Sequence, residues 1–306
     1  MSDDYLWDRK GAPDPDVARL EQLLAPLAHD APLRTRGPRT WWVVGAAVAA
    51  AAAVAIVLAL PRGPESSGFD FVARDGTVLV NAQSTSSGTL ATGDVLDTRT
   101  AHVDLKIADI GRAELSPDTQ VRLERSDKTR RQLSIDRGRM HARVVAPPRL
   151  FVVSTRAASV TDLGCEYTIE VGADGSGHLE VESGHVELAT KSGASVIAPA
   201  GTHARILASQ PGLPIADGAS PEIERAVDDY LAGNGPSAIL AAATEDDAIT
   251  VVNLAIVDPA ARRAAADRLA ELVPLLDAQG DELQRLMRWR AELVVQRRHA
   301  KSKKAP

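Results

Sequence analysis

Five histidines, one cysteine and a few carboxylates are the residues between 69 and 208 whose types could do chemistry: His102, His141, His178, His185 and His203, Cys165, and Asp162, Glu166 and Glu170. Imidazoles with carboxylates can hold a transition metal. Paired carboxylates can divide acid and base work. An exposed thiolate of lowered pKa is a nucleophile. The spacing favours none of these. His178 and His185 sit on successive strands, and a two-residue turn at Ser183-Gly184 would set His185 opposite Glu182 and leave His178 several residues away. Glu166 and Glu170 share one face of an alternating strand, the face expected to meet water. Cys165 has the parity of Tyr167, Ile169 and Val171, so it is expected inside as a small apolar residue. The chain has no GxSxG, phosphate-binding loop, HExxH or strand-linked GxGxxG. No catalytic, metal or cofactor residue is assigned, and the chain reads as a non-enzyme.

The elements that carry these residues repeat with period two. Val121 and Leu123 alternate with Arg122 and Glu124. Leu133 and Ile135 lead into an expected turn at Asp136-Arg137-Gly138, and Met140, Ala142 and Val144 resume the alternation. Leu179 and Val181 precede Ser183-Gly184, followed by Val186 and Leu188. Short strands between glycine-containing turns predict an all-β domain over 69–208, of stacked strands in a sandwich, barrel or solenoid-like arrangement. From Ser220-Pro221 the period changes, and a helical region is expected over 220–298. Its pieces are separated by Gly233-Asn234-Gly235-Pro236 and by Asp258-Pro259, and the last opens at Asp281. Residues 299–306 form a basic tail.

Ahead of the strands, residues 41–60 run for 20 positions without a charge, enough for a helix to cross about 30 Å of hydrocarbon. Trp41 and Trp42 suit the interface, and Arg34, Arg36 and Arg39 flank the N-terminal side. This predicts one transmembrane helix, residues 1–40 in the cytoplasm, a linker at 61–68, and an extracytoplasmic bulk. Within the tail, Asp14-Pro15 can open a short helix that aligns Val17, Leu20 and Leu24. About 11 residues are too few for a stable isolated helix, so this stripe needs a surface to fold on. With Tyr5, Leu6 and Trp7 it forms a candidate docking segment.

The chain has 306 residues, 35 basic and 41 acidic, which argues against direct nucleic-acid binding. A single cysteine excludes an intramolecular disulfide and a Cys-rich metal site.

The run from Ala158 through Asp162, Leu163, Gly164, Cys165 and Tyr167 to Val171 resembles the core motif of the FecR domain. Thr92-Gly93-Asp94, Ala113-Glu114-Leu115-Ser116-Pro117, Asp136-Arg137-Gly138, Glu182-Ser183-Gly184-His185 and Pro199-Ala200-Gly201 look like its flanking strand–turn units, over roughly residues 75–208. Cys165 stands where the motif usually has threonine. The resemblance implies a β-rich domain behind one membrane helix, in an anti-sigma-like regulator of the inner membrane. Its implied partners are an extracytoplasmic-function sigma factor inside, the bilayer, and an envelope partner or ligand of unspecified chemistry outside. The other reading is an envelope scaffold or glycan-binding protein whose tail is only an anchor lead.

Overall fold

The computed structural model describes residues 68–274 and 282–302, preceded by helical positions at Pro15, Ala18 and Arg19. The expected span at 41–60 and the contact residues Tyr5, Leu6, Trp7, Val17, Leu20 and Leu24 lie outside the described residues, apart from those three helical positions between them. Among the described residues no helix is long and apolar enough to cross a membrane. The strands and helices described below belong to the compact unit Arg62–Pro306.

Two sheets account for the β region. The first runs β4 (Ser87–Leu90), β1 (Phe69–Ala73), β6 (Val103–Ile107), β7 (Gly111–Leu115), β9 (Arg131–Val144), β12 (Glu166–Val171), β13 (Gly177–Ser183), β16 (Thr202–Ile206) and β17 (Ile215–Ala216). The second runs β3 (Gln83–Thr85), β2 (Val78–Val80), β5 (Val95–Asp97), β8 (Gln120–Ser126), β9 again, β10 (Phe151–Ser154), β11 (Ala158–Asp162), β14 (His185–Thr190) and β15 (Ser195–Pro199). Neighbours are antiparallel except β9 and β10. Alternation explains the layering. Val103, Leu105 and Ile107 are buried while Asp104 and Lys106 are exposed, and the apolar faces of both sheets line one core.

β9 corrects the expected turn at Asp136-Arg137-Gly138. The chain does not reverse there. It runs on as one 14-residue strand that leaves the second sheet and enters the first. Leu133 and Ile135 are buried before the passage, and Met140, Ala142 and Val144 after it, so the buried parity flips from odd to even. Gly138, at φ 101°, makes the flip. A Cβ there would stand 2.4 Å from Thr119 Cα. Thr119 fixes the corner, its hydroxyl donating to Arg139 O at 3.2 Å and accepting from Arg139 N at 3.0 Å.

The β-then-α order of the sequence holds. Helix α1 (Pro221–Leu231) is capped by Ser220, whose side chain accepts from Ile223 N, with proline in the first turn. Then come α2 (Ser237–Ala242), α3 (Ala248–Val257), α4 (Arg262–Leu272) and α5 (Glu282–Ser302). α3 is buried nearly all round, with Val251, Val252 and Leu254 at zero exposure, because it lies against β15 and β17 as well as α4 and α5. Strands and helices therefore share one continuous core.

Candidate functional site on the outer face of the first sheet

Where β9, β12 and β13 lie side by side, their outward residues form a charged face. The even positions of β9 are buried after Gly138, so Arg139, His141 and Arg143 point out. On β12 the outward set is Glu166, Thr168 and Glu170. His141 pairs in register with Thr168, Glu166 with Arg143, and Glu170 with Arg139. On β13 the register slips. Tyr167 faces Val181 but Glu166 faces Ser183, which leaves Glu182 as the extra residue of a bulge. A bulge re-aims a side chain, and here it turns Glu182 toward His141.

His141 Nε2 stands 3.5 Å from Glu166 Oε1 and 3.4 Å from Glu182 Oε1. The nitrogen is buried and makes no hydrogen bond. Thr168 Oγ1 donates to Glu182 Oε1 at 3.4 Å, and Arg143 Nε lies 3.8 Å from Glu166 Oε2. Thr168, with the same strand parity as Glu166 and Glu170, is buried.

This cluster lies beside a cleft of about 350 Å³, lined in part by Arg74, His102, Glu114, Arg139, His141 and Glu182. The opposite wall is already charge-paired. Arg74 binds both carboxylate oxygens of Asp104 and stands 3.1 Å from Glu114. The Arg74 guanidinium holds the Asp104 carboxyl below the usual carboxylate range. Asp75 accepts from His102 N at 2.7 Å, the main reason its carboxyl is also held low, and its other oxygen is 3.2 Å from His102 Nδ1. The cleft is thus a charge-lined concavity suited to recognising ions or polar groups.

Of the residues singled out by sequence, His141 and Glu166 belong to this cluster, and the motif residues 162–165 and 167 lie elsewhere. Asp162, Leu163, Gly164, Cys165 and Tyr167 form the corner where the chain passes from β11 in the second sheet to β12 in the first. Asp162 is buried. It accepts from Gly164 N at 3.0 Å and Cys165 N at 3.1 Å, and also from the Cys165 thiol. Leu163 is half-buried, while Cys165 and Tyr167 are inside. Burial pushes the Asp162 carboxyl up. It pushes the Cys165 thiol up further, with Asp162 adding to the shift. Burial likewise raises the Tyr167 hydroxyl. A protonated, enclosed thiol is inert, so these residues shape the corner rather than react.

Ser183-Gly184 is not the hairpin turn expected. β13 and β14 lie in different sheets, and Gly184, at φ 71°, carries the chain between them. A Cβ at Gly184 would stand 2.2 Å from Gly164 O, so the two passages touch. His185 therefore pairs with Pro199 on the second sheet while Glu182 stays on the first, and His178 pairs with Glu170 and Arg205. The histidine that matters is His141. Its parity placed it outward, but its neighbours depend on strand order and on the bulge.

Residues 94–187 match the family model described as FecR protein, a stretch from the start of β5 into β14. Two crystal structures of a candidate anti-sigma factor from Parabacteroides distasonis ATCC 8503, at 1.65 and 2.50 Å resolution, share 18% identity with the chain at a TM-score of 0.35. The overlap covers 45% of this chain and 65% and 63% of those, a little under two thirds of their length. A search of curated proteins finds no match to the sequence. The outward charged face and both glycine corners up to Gly184 fall within the matched stretch, so residues 94–187 carry a match to the FecR protein family model.

Proposed function

We propose that this chain is a membrane-anchored, anti-sigma-like regulator whose FecR-type β domain receives a signal outside the cytoplasm. The match of 94–187 to the FecR model carries this reading. The uncharged run 41–60, with Arg34, Arg36 and Arg39 on its N-terminal side against Arg62 alone on the other, supports an inner-membrane anchor with the β domain and helices outside. The segment at 1–40, with Tyr5, Leu6, Trp7 and the Val17, Leu20 and Leu24 stripe, would dock an extracytoplasmic-function sigma factor by folding on it.

The experiment is a pull-down from cells producing the full chain, with a reporter fused after Pro306 in parallel. Recovery of a sigma factor, lost in Trp7→Ala and Leu20→Asp, supports the regulatory role. A reporter active only when exported supports the orientation. Recovery of no sigma factor, with the outer domain sedimenting with cell wall instead, would favour an envelope scaffold. Reporter activity in the cytoplasm would reject the topology.

A further inference from the structure

We infer that His141, Glu166 and Glu182 form a binding site for a divalent transition-metal cation of the zinc class. The inference goes beyond the regulatory reading and does not rest on it. Three separate strands bring one imidazole nitrogen and two carboxylates together, with all three donor atoms within 4.8 Å of one another. The separations distinguish a shared cation from a direct bond. His141 Nε2 lies 3.5 and 3.4 Å from the two carboxylate oxygens, long for a hydrogen bond to an ionised group. Two donors each about 2.1 Å from a tetrahedral cation stand about 3.4 Å apart. The two distances from His141 Nε2 match the edges of such a tetrahedron.

The nitrogen's surroundings agree. His141 Nε2 is buried without a hydrogen bond, a costly state unless something fills the space it faces. Two carboxylates with oxygens within 4.8 Å of each other repel, and a cation shared between them relieves this. Both carboxylates have supporting contacts. Arg143 lies near Glu166 Oε2, leaving Oε1 for the cation, and Thr168 steadies Glu182 by donating to it. One nitrogen and two oxygens suit zinc and its neighbours better than calcium or magnesium, which prefer oxygen alone. Three protein donors leave a fourth position on a tetrahedral ion. His141 and Glu182 also line the cleft, so that position is accessible to a small ligand.

The test uses the full-length chain in detergent, stripped with chelator and titrated with Co²⁺ while visible absorption is followed. The expected result is saturable binding of one equivalent, with the intense visible bands of four-coordinate cobalt, bleached by one equivalent of Zn²⁺. His141→Ala and Glu182→Gln should each weaken binding about tenfold or more. His203→Ala, on the same sheet, should leave it unchanged. Glu182 is half-exposed and its glutamine is isosteric, so that variant keeps the fold, which circular dichroism verifies. Absence of saturable binding would overturn the inference, because contacts of His141 with the two glutamates alone would then account for the geometry. Equal affinity in wild type, His141→Ala and Glu182→Gln would overturn it as well.

Discussion

Asn253 grips Ile197 by both ends of its side-chain amide: Oδ1 accepts from Ile197 N at 3.0 Å, and Nδ2 donates to Ile197 O at 3.2 Å. Ile197 lies on β15, the last strand of the second sheet, and Asn253 lies on α3. The amide thus imitates the next strand and blocks an open edge. Asn253 is fully buried, and Nδ2 also donates to Ile249 O at 2.8 Å. Asn253→Ala leaves two backbone groups of Ile197 without these partners and should cost about 2–3 kcal/mol. Urea unfolding measures this, and a loss below about 0.5 kcal/mol would show that the edge is closed by packing alone.

Glycine at the corners should be far less replaceable than glycine in open turns. Gly184→Ala combines a positive φ with a Cβ 2.2 Å from Gly164 O, and should cost about 3 kcal/mol or more. Gly193→Ala also has positive φ, but its Cβ would meet nothing within 4 Å, and should cost about 1 kcal/mol. Thermal midpoints of the two variants check the ordering. Equal losses would mean that the contact between the two passages does not matter.

The Cys165 thiol should resist a thiol reagent in the native protein and react once the chain is unfolded, because burial both encloses it and keeps it protonated. The rate of labelling across a denaturant series measures this. Rapid native-state labelling at neutral pH would mean that the corner opens readily.

Acid should weaken the fold partly through Asp127. Its carboxylate accepts from Thr129 Oγ1 and N at 2.6 and 2.8 Å, from Arg130 N at 3.0 Å, and from the Arg125 guanidinium. Thr129 foremost, then Arg125, hold it well below the usual carboxylate range. Its stabilising contribution is therefore complete above the ordinary carboxylate pKa and is lost as pH falls through the depressed one. Asp127→Asn should be less stable than wild type near neutrality, with the gap closing in acid. Asp162 has the opposite sign. Its folded value is raised, so its ionisation works against the fold as pH rises from the ordinary value through the raised one. A pH-independent gap for Asp127→Asn would show that shape, not charge, sets its role.

Much of the β region was legible because alternation reports one-sided burial directly. Val121, Leu123, Leu133, Ile135, Met140 and Ala142 all lie inside as their parity requires. What alternation cannot separate is a reversal from a change of sheet. At both Gly138 and Gly184 a glycine of positive φ interrupts the pattern, as it would in a hairpin, yet the chain runs onward. The helices were legible through Ser220-Pro221 and the Gly233–Pro236 break, since caps and breakers act locally. The cluster of His141, Glu166 and Glu182 was only half visible. Parity turns His141 and Glu166 outward, but bringing three strands together depends on long-range pairing, and aiming Glu182 depends on one extra residue in a bulge.

β9 also sets the order in which the protein can mature. Its partners are β7 and β8 from earlier in the chain and β10 and β12 from later. A polypeptide that emerges from its N-terminus can cover only one side of this strand at first. On the other side, β10 can cover Arg131–Ser134, but Gly138–Arg143 stay bare until Val171 at the end of β12 is free to join. The first sheet cannot join its two halves earlier. Such non-local pairing makes folding slow, on the millisecond-to-second scale, and leaves a sticky edge for holding factors to guard in the interval.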